Sequence, residues 1–393
     1  VESKAESVRQ ALGIAPGQKT LLFTMPMSAG DVFISTAVVQ NLRKKFPDHK
    51  IFYGTQEKYA DILKGNKDID QIVAFAEWMM NVPFCETVFT EVYTPNLDIQ
   101  MNSSNWIHGG KGRKLGEEIA NRCLVEFGTP SIQIDQHPQA LPEKFIAFHP
   151  GSGKGQWEAR NYNHWKEVFL NLKNTLEPLG YGFVLVGSSD DIGLEGCIDL
   201  RGKTTYNQLA DVIQRASSLV GIDSVSMHMA AALGIPSVSL FGSSYSNSTG
   251  PMNAKRHFAL ETNNRYSCEK ACYKYQCHVN AENPCINEIS PKSVVAYTIE
   301  SLDLALEVKY VEHNPKIAGY THVLNAASAN YPYLESIKSM LGFCDEVVVV
   351  DGGSKDDTLL KLNELAESDP RLKVMVHEWD WNEPGMDGLQ KAY

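Results

Sequence analysis

The sequence predicts an α/β protein built on parallel sheets, with two successive domains and a shorter third module. Three observations carry this reading. Short apolar runs alternate with stretches of helical period from Lys19 onward. Small polar loops follow several of those runs directly, as at "SAGD" (28–31), "HPGSG" (149–153) and "GIDS" (221–224). The alternation restarts twice, after "LPEKF" (141–145) and near Ile317. Strands that alternate with helices imply crossover connections, and hence parallel strands.

Taken in order, residues 1–18 read as a helix closed by a Pro-Gly turn. "KTLLFTMPM" (19–27) is a buried strand, "VFISTAVVQNLRKKFP" (32–47) a helix, "KIFYGT" (50–55) a strand and "EKYADILKGN" (57–66) a helix. Residues 78–115 are less regular and contain the polar, basic loop "NSSNWIHGGKGRK" (102–114). The second alternation runs "FIAFHPGSG", "NHWKEVFLNLKNTL", "YGFVLVGSS", "YNQLADVIQRA", "SSLVGID", "MHMAAALG" and "PSVSLFG", with a closing helix over 286–308. The third runs "YTHVLNA", "YPYLESIKSMLG", "DEVVVVDGG", "DDTLLKLNELAES" and "LKVMVHEW". The expected domains are therefore 1–143, 144–310 and 317–393. The third holds few strands and little core. It is expected to lean on the other two or to be completed by residues outside this sequence.

Hydrophobic residues make up 43% of the 393 and charged residues 21%, which describes a globular chain with sizeable cores. A net charge of −11 argues against a nucleic-acid partner, because the basic footprint is missing. No apolar run has the length of a transmembrane span, and no signal peptide is visible. Cys85, Cys123, Cys197 and Cys344 are scattered and suit reduced, buried thiols. Cys268, Cys272, Cys277 and Cys285 crowd together. Four thiols at that density suit a structural tetrahedral Zn or Fe site, or else reduced structural thiols. The compartment is expected to be reducing and cytoplasmic.

Parallel sheets bind ligands beyond the carboxyl ends of their strands. Asp223 and Ser224 sit at such an end, before a helix. They cap that helix, or its free N–H groups receive an anion. His228, one turn in, either faces the same ligand or packs in the core. The loop after "FIAF" adds Lys154 and Arg160. Two strand ends with amides, cations and a histidine suit a nucleoside diphosphate. "GCIDLRGKT" (196–204) is not a Walker loop, since five residues rather than four separate Gly196 and Gly202. Asp31, after the first strand, either caps its helix or serves as a base.

"HPGSGKGQWEARNYNHW", "DLRGKTTYNQLADVIQRASSLVGIDSVSMHMAAALGIPSVSLFGSS" and "GDVFISTAVVQNLRKKFPDHKIFYGTQEKYADILKGNKDID" resemble, in order, glycosyltransferase family 9, the ADP-heptose:lipopolysaccharide heptosyltransferases. The resemblance covers residues 19–305. It implies a GT-B fold, two Rossmann-like domains facing a cleft, with the acceptor on the first and the nucleotide-sugar donor on the second. It also implies inverting, metal-independent transfer with no required cofactor. Asp31 matches the general base, Arg160 a basic residue at the donor phosphates, and Asp223 and His228 a D-x-x-x-x-H element. Val225 stands where the family has glycine, which restricts backbone approach to the ligand. Asp190 is the candidate for a nucleobase-side acid.

Loss of a diphosphate needs fixed positive charge and donors, for which Lys154, Ser224 and Ser243 join Arg160. Lys111, Arg113 and Lys114 either meet an anionic acceptor or form a solvated loop. The tail, with "VVVVDGGSKDDT", resembles the start of a family 2 glycosyltransferase of GT-A fold, in which Asp351 would meet a nucleotide. The expected function is sugar transfer, heptose by family default, onto a glycan or lipid-linked acceptor such as a lipopolysaccharide precursor. That would place the chain in the cytoplasm or at the inner membrane face. Another sugar, a protein acceptor, or a silent nucleotide-sugar-binding scaffold are the alternatives.

Overall fold

The computed structural model describes residues 2–97, 114–153, 157–262, 272–279, 282–304 and 317–379. The chain forms two compact units, Val1–Val311 and Glu312–Tyr393. Among the described residues, no helix is long and apolar enough to cross a membrane.

The first unit holds two parallel sheets. It begins with α1 (Glu2–Ala11), β1 (Thr20–Thr24), α2 (Ala29–Lys45), β2 (Lys50–Thr55), β3 (Gln71–Ala74), α3 (Val82–Val88), β4 (Glu91–Tyr93) and α4 (Leu115–Arg122). The strand order is β3-β2-β1-β4. It continues with β5 (Phe145–His149), α5 (Trp165–Leu176), β6 (Gly182–Leu185), β7 (Ile198–Asp199), α6 (Tyr206–Arg215), β8 (Ser218–Ile222), α7 (Val225–Leu233), β9 (Ser237–Phe241), β10 (His257–Glu261) and α8 (Pro291–Ser301). Read from its other edge, this sheet runs β7-β6-β5-β8-β9-β10. That is the doubly wound dinucleotide-fold order, and the strand order reverses between β5 and β8. The first sheet repeats the start of the same pattern, with its reversal between β1 and β4.

Both β1 and β5 are fully buried, because helices cover the two faces of a parallel sheet. Helix α2 is enclosed nearly all round: Val32 through Val39 are all buried. A helix apolar on every side must have neighbours on every side. One of them is α7, whose small and flexible residues "MHMAAA" allow close approach. The core around Phe23, Val38, Phe145, Leu219 and Met229 therefore runs through both sheets without a break.

Three expectations change. Residues 57–63 form a 3-10 helix rather than an α-helix. The segment has no side-chain N-cap bond, and Gly65 at φ +69 ends it after two turns. Strands β3, β4, β7 and β10 were not legible in the sequence. Strand β7 lies inside the rejected Walker look-alike, so that stretch is strand, not phosphate loop. Of the scattered cysteines, Cys85, Cys123 and Cys344 are buried and Cys197 half-buried. Burial pushes Cys85 up to about 11 and Cys197 up to about 12, which keeps both as thiols.

The second unit has β11 (Ala318–Val323), α9 (Tyr333–Leu341), β12 (Glu346–Asp351), α10 (Thr358–Ser368) and β13 (Leu372–Val376), in the parallel order β11-β12-β13. Sequential parallel strands with right-handed crossovers place both helices on one face. Ile337, Leu341 and Leu362 accordingly join Val347, Val349 and Leu372 in one core. Asp351 ends β12 with its carboxylate fully buried. It accepts N–H bonds from Gly353 (3.0 Å) and Ser354 (2.8 Å), and the Ser354 hydroxyl (2.5 Å). This carboxylate shapes its own turn.

Candidate active site at the reversal points of two sheets

The loop after β1 delivers Asp31. It is the third residue of α2, and Ser28 is the N-cap. Ser28 donates to Asp31 Oδ2 through its N–H (2.8 Å) and its hydroxyl (2.6 Å). The capping box is real. It engages only Oδ2; Oδ1 accepts no hydrogen bond among the described residues. Burial raises the Asp31 pKa, while the Ser28 bonds and the Arg160 charge pull it down and Asp223 adds a smaller push upward. Arg160 and Asp223 belong to the other sheet, so the two reversal points meet around this carboxylate.

The loop after β5 delivers Arg160, at the end of the 3-10 turn Glu158–Arg160. Its guanidinium donates through Nη1 to the backbone carbonyl of Asp223 (2.6 Å) and pairs through Nη2 with Asp223 Oδ2 (3.2 Å). The same oxygen accepts from the hydroxyls of Ser244 (2.6 Å) and Thr249 (2.8 Å). Trp157 lies 4.3 Å from the guanidinium carbon, over its ring, and adds a cation–π contact. Arg160 Nε is buried without a partner among the described residues.

Helix α7 starts at this point. Ser224 is its N-cap, yet the hydroxyl does not cap the helix. It turns to His149 Nδ1 (2.9 Å), which also meets the Ser226 hydroxyl (2.6 Å). The first amides of α7 thus lack a side-chain cap, the condition under which a helix end receives an anion. His228 Nδ1, Ser243 Oγ and Ser152 Oγ are buried and have no partner among the described residues. Buried polar atoms without partners are costly. These three follow the carboxyl ends of β5, β8 and β9, where a parallel sheet receives ligands. A side chain at Gly30 would start 3.5 Å from His228 Cδ2, so the first sheet's loop rests directly on this imidazole.

Of the expected residues, Arg160 and Asp223 are paired and their charges act on both Asp31 and His228, Ser224 starts the helix that carries His228, and Ser243 follows β9. Lys154 lies outside the described residues, as do Lys111 and Arg113. Lys114 is half-buried and donates to the Pro251 carbonyl (2.6 Å), tying α4 to the second sheet. Asp190 is exposed; the buried acid is its neighbour Asp191. Asp191 accepts from the N–H groups of Gly153 and Ser188, both at 2.8 Å, and leaves no room for a side chain at Gly151. It locks the β5 and β6 loops together. His149 and Asp191 are the members that sequence reasoning missed. The available signal was the strand-end "FHPG" facing "GSSDD".

Of the cysteine cluster, Cys268 lies outside the described residues, and Cys272, Cys277 and Cys285 are half-buried. Among the described residues no three His, Cys, Asp or Glu side chains come together to hold a metal. Hydrogen bonds fasten the described part of this loop. Tyr273 N–H donates to the Ser243 carbonyl (2.9 Å), Ala159 N–H to the Tyr275 carbonyl (2.9 Å) and Asn283 Nδ2 to the Glu158 carbonyl (2.7 Å).

Burial holds His228 down to about 4; Asp223 opposes this, and Arg160 and Lys114 add to it. His257, whose Nδ1 meets the Ser237 hydroxyl at 2.9 Å, is likewise held down to about 4 by burial first. Both are neutral at pH 7. An unfolded histidine takes its proton near pH 6.5, so stability should fall as pH drops from about 6.5 to about 4, by roughly 3 kcal/mol per histidine. We expect His228→Gln to lose less melting temperature than the parent between pH 7 and pH 5. Equal losses would mean that His228 is not a source of the acid sensitivity.

Residues 125–279 match the model of glycosyltransferase family 9 (heptosyltransferase). Lipooligosaccharide heptosyltransferase 2 of Haemophilus influenzae is 31% identical over 34% of this chain; the chain spans 39% of that protein's length. Lipopolysaccharide heptosyltransferase 3 of Escherichia coli is 34% identical over 54% of this chain and 80% of its own length. The iron-containing dodecameric glycosyltransferase TibC of enterotoxigenic E. coli shares the fold, with a TM-score of 0.57 at 14% identity, over 73% of this chain and 80% of that one. The first unit thus has a GT-B-like glycosyltransferase fold. With four-fifths of a heptosyltransferase matched at this identity, the chain belongs to glycosyltransferase family 9.

Proposed function

We propose that the first unit transfers a sugar from a nucleotide-diphosphate donor to a glycan acceptor with inversion at the transferred carbon and without a metal. The observation that carries this is the convergence of Asp31 from one sheet with Arg160, Asp223 and His228 from the other. The donor diphosphate lies at the β5–β8 reversal. Arg160 Nε, the uncapped start of α7 and the Ser243 and Ser152 hydroxyls are the donors it would satisfy. They are fixed in place, so they stabilise the charge of the departing diphosphate without reorganising. Asp31 Oδ1 takes the proton from the acceptor hydroxyl as that oxygen attacks, and the bond to the diphosphate breaks on the opposite face. The names of the relatives support a heptose donor and a lipopolysaccharide-type acceptor, and the ADP-heptose complex of TibC supports an ADP-linked sugar; the reaction would then run at the cytoplasmic face of a membrane.

The test is calorimetric titration with ADP and ADP-heptose, followed by mass spectrometry and NMR of the product formed on a core-lipopolysaccharide acceptor. Donor binding, a product of inverted configuration and turnover unaffected by EDTA are expected. Binding without transfer would favour a silent scaffold, and a requirement for another nucleotide-sugar would change the substrate. The second unit we read as a partial GT-A-like module, from its βαβαβ order and from Asp351 at a strand's carboxyl end. Transfer that persists without residues 312–393 would assign the chemistry to the first unit alone.

A further inference from the structure

The Arg160 side chain that holds Asp223 is the inner end of a chain of contacts leading outward. Its guanidinium carbon is 4.3 Å from the centre of the Trp157 ring. Trp157 in turn meets Tyr275, with ring centres 4.5 Å apart and planes tilted by 44°. Tyr275 is 63% exposed. A large aromatic side chain held against another aromatic and yet open to water presents an ordered ring face to a ligand. Its position is fixed from the backbone: the Tyr275 carbonyl accepts from Ala159 N–H at 2.9 Å. The next residue, Gln276, donates through Nε2 to Glu158 Oε2 at 3.3 Å. The residue that follows the exposed ring is thus tied to the residue that follows Trp157.

We propose that Trp157 and Tyr275 form a sugar-binding platform that receives a pyranose ring of the acceptor. The inference rests on the transfer reading above and adds the class of ligand and its subsite. A pyranose ring offers an apolar C–H face to an aromatic surface and a rim of hydroxyls to planar polar groups. Tyr275 supplies the first, and Glu158 with Gln276 the second. The same set is unsuited to phosphate. Glu158 adds a carboxylate there, and no cation is seen against the Tyr275 ring among the described residues. Trp157 touches Arg160, whose charge acts on Asp31, so the platform stands on the second sheet's side of the base and would meet a part of the acceptor that extends across from the first sheet. The loop that bears Cys272 and Cys277 also carries Tyr275.

The experiment compares the full chain with Tyr275→Ala and Tyr275→Phe. The probes are methyl pyranosides observed by saturation-transfer NMR, and ADP followed by calorimetry. The parent and Tyr275→Phe should transfer saturation to the pyranoside ring protons. Tyr275→Ala should lose at least three-quarters of that signal while binding ADP within about two-fold of the parent, because single contacts at an exposed ring act locally. In turnover assays, Tyr275→Ala should raise the acceptor KM about ten-fold with kcat little changed, the mark of a ground-state contact. Two results would overturn the platform: ADP affinity falling while pyranoside binding persists, or no saturation transfer in the parent. If the parent fails to bind ADP or ADP-heptose, the underlying transfer reading has failed instead.

Discussion

Asp31→Asn is expected to cut turnover by about 10²- to 10⁴-fold while leaving ADP affinity within about three-fold of the parent. Removing a base acts on the step in which the acceptor oxygen attacks, not on the ground-state grip on the nucleotide. Asp31 also closes a capping box with Ser28, and that duty predicts a different result. Asparagine keeps an acceptor oxygen there, so the cost to folding should be under about 1 kcal/mol. A modest drop in melting temperature with unchanged turnover would leave Asp31 as a cap alone. Ser28→Ala separates the roles further. The Ser28 bonds hold the Asp31 pKa down. Without the hydroxyl that pKa rises, so the acid limb of kcat/KM should move to higher pH.

Asp31 also shows how much the sequence discloses. The position of "SAGD" after an apolar strand was enough to name cap and base as rivals. The structure shows the cap, which engages one carboxylate oxygen and leaves the other without a hydrogen bond among the described residues, so capping does not exclude the proposed base. The alternation of strands and helices was legible because periodic stretches of ten or more residues dominate it; that residues 1–311 form one compact unit was not. The short edge strands β3, β4 and β7 were not, since two to four residues carry no period to read. His149 was missed for another reason. Its partners Ser226 and Asp191 are 77 and 42 positions away, and only the return of β6 and β8 beside β5 brings them together. The cysteine cluster is only partly visible: Cys268 lies outside the described residues, and what the structure adds is the hydrogen bonding of Tyr275 and Asn283 to residues 158–161, which sequence spacing does not disclose.

The second large effect is expected at Asp223. Asp223→Ala should destabilise the first unit by about 3–5 kcal/mol and weaken ADP binding by at least ten-fold. Asp223 is 3% exposed, and its Oδ2 gathers Arg160, Ser244 and Thr249. Alanine strands a buried guanidinium and two hydroxyls together, and a lone buried charge is the costly remainder. Through that oxygen Asp223 aims Arg160, so the loss of donor affinity should follow from a displaced guanidinium. Two consequences follow from that route. Arg160→Lys should not restore affinity, because one ammonium cannot meet the Asp223 carbonyl and carboxylate as the planar fork does. The double variant Asp223→Ala with Arg160→Ala should be more stable than the sum of the single losses predicts, since removing both partners leaves no orphaned charge. Asp223→Asn, which keeps shape and an acceptor but leaves the Arg160 charge unpaired, should recover only part of the Asp223→Ala loss and so isolates the charge. If Asp223→Ala weakens ADP binding while Arg160→Ala does not, Asp223 meets the donor by itself. If neither does, the β5–β8 crevice is not the donor site.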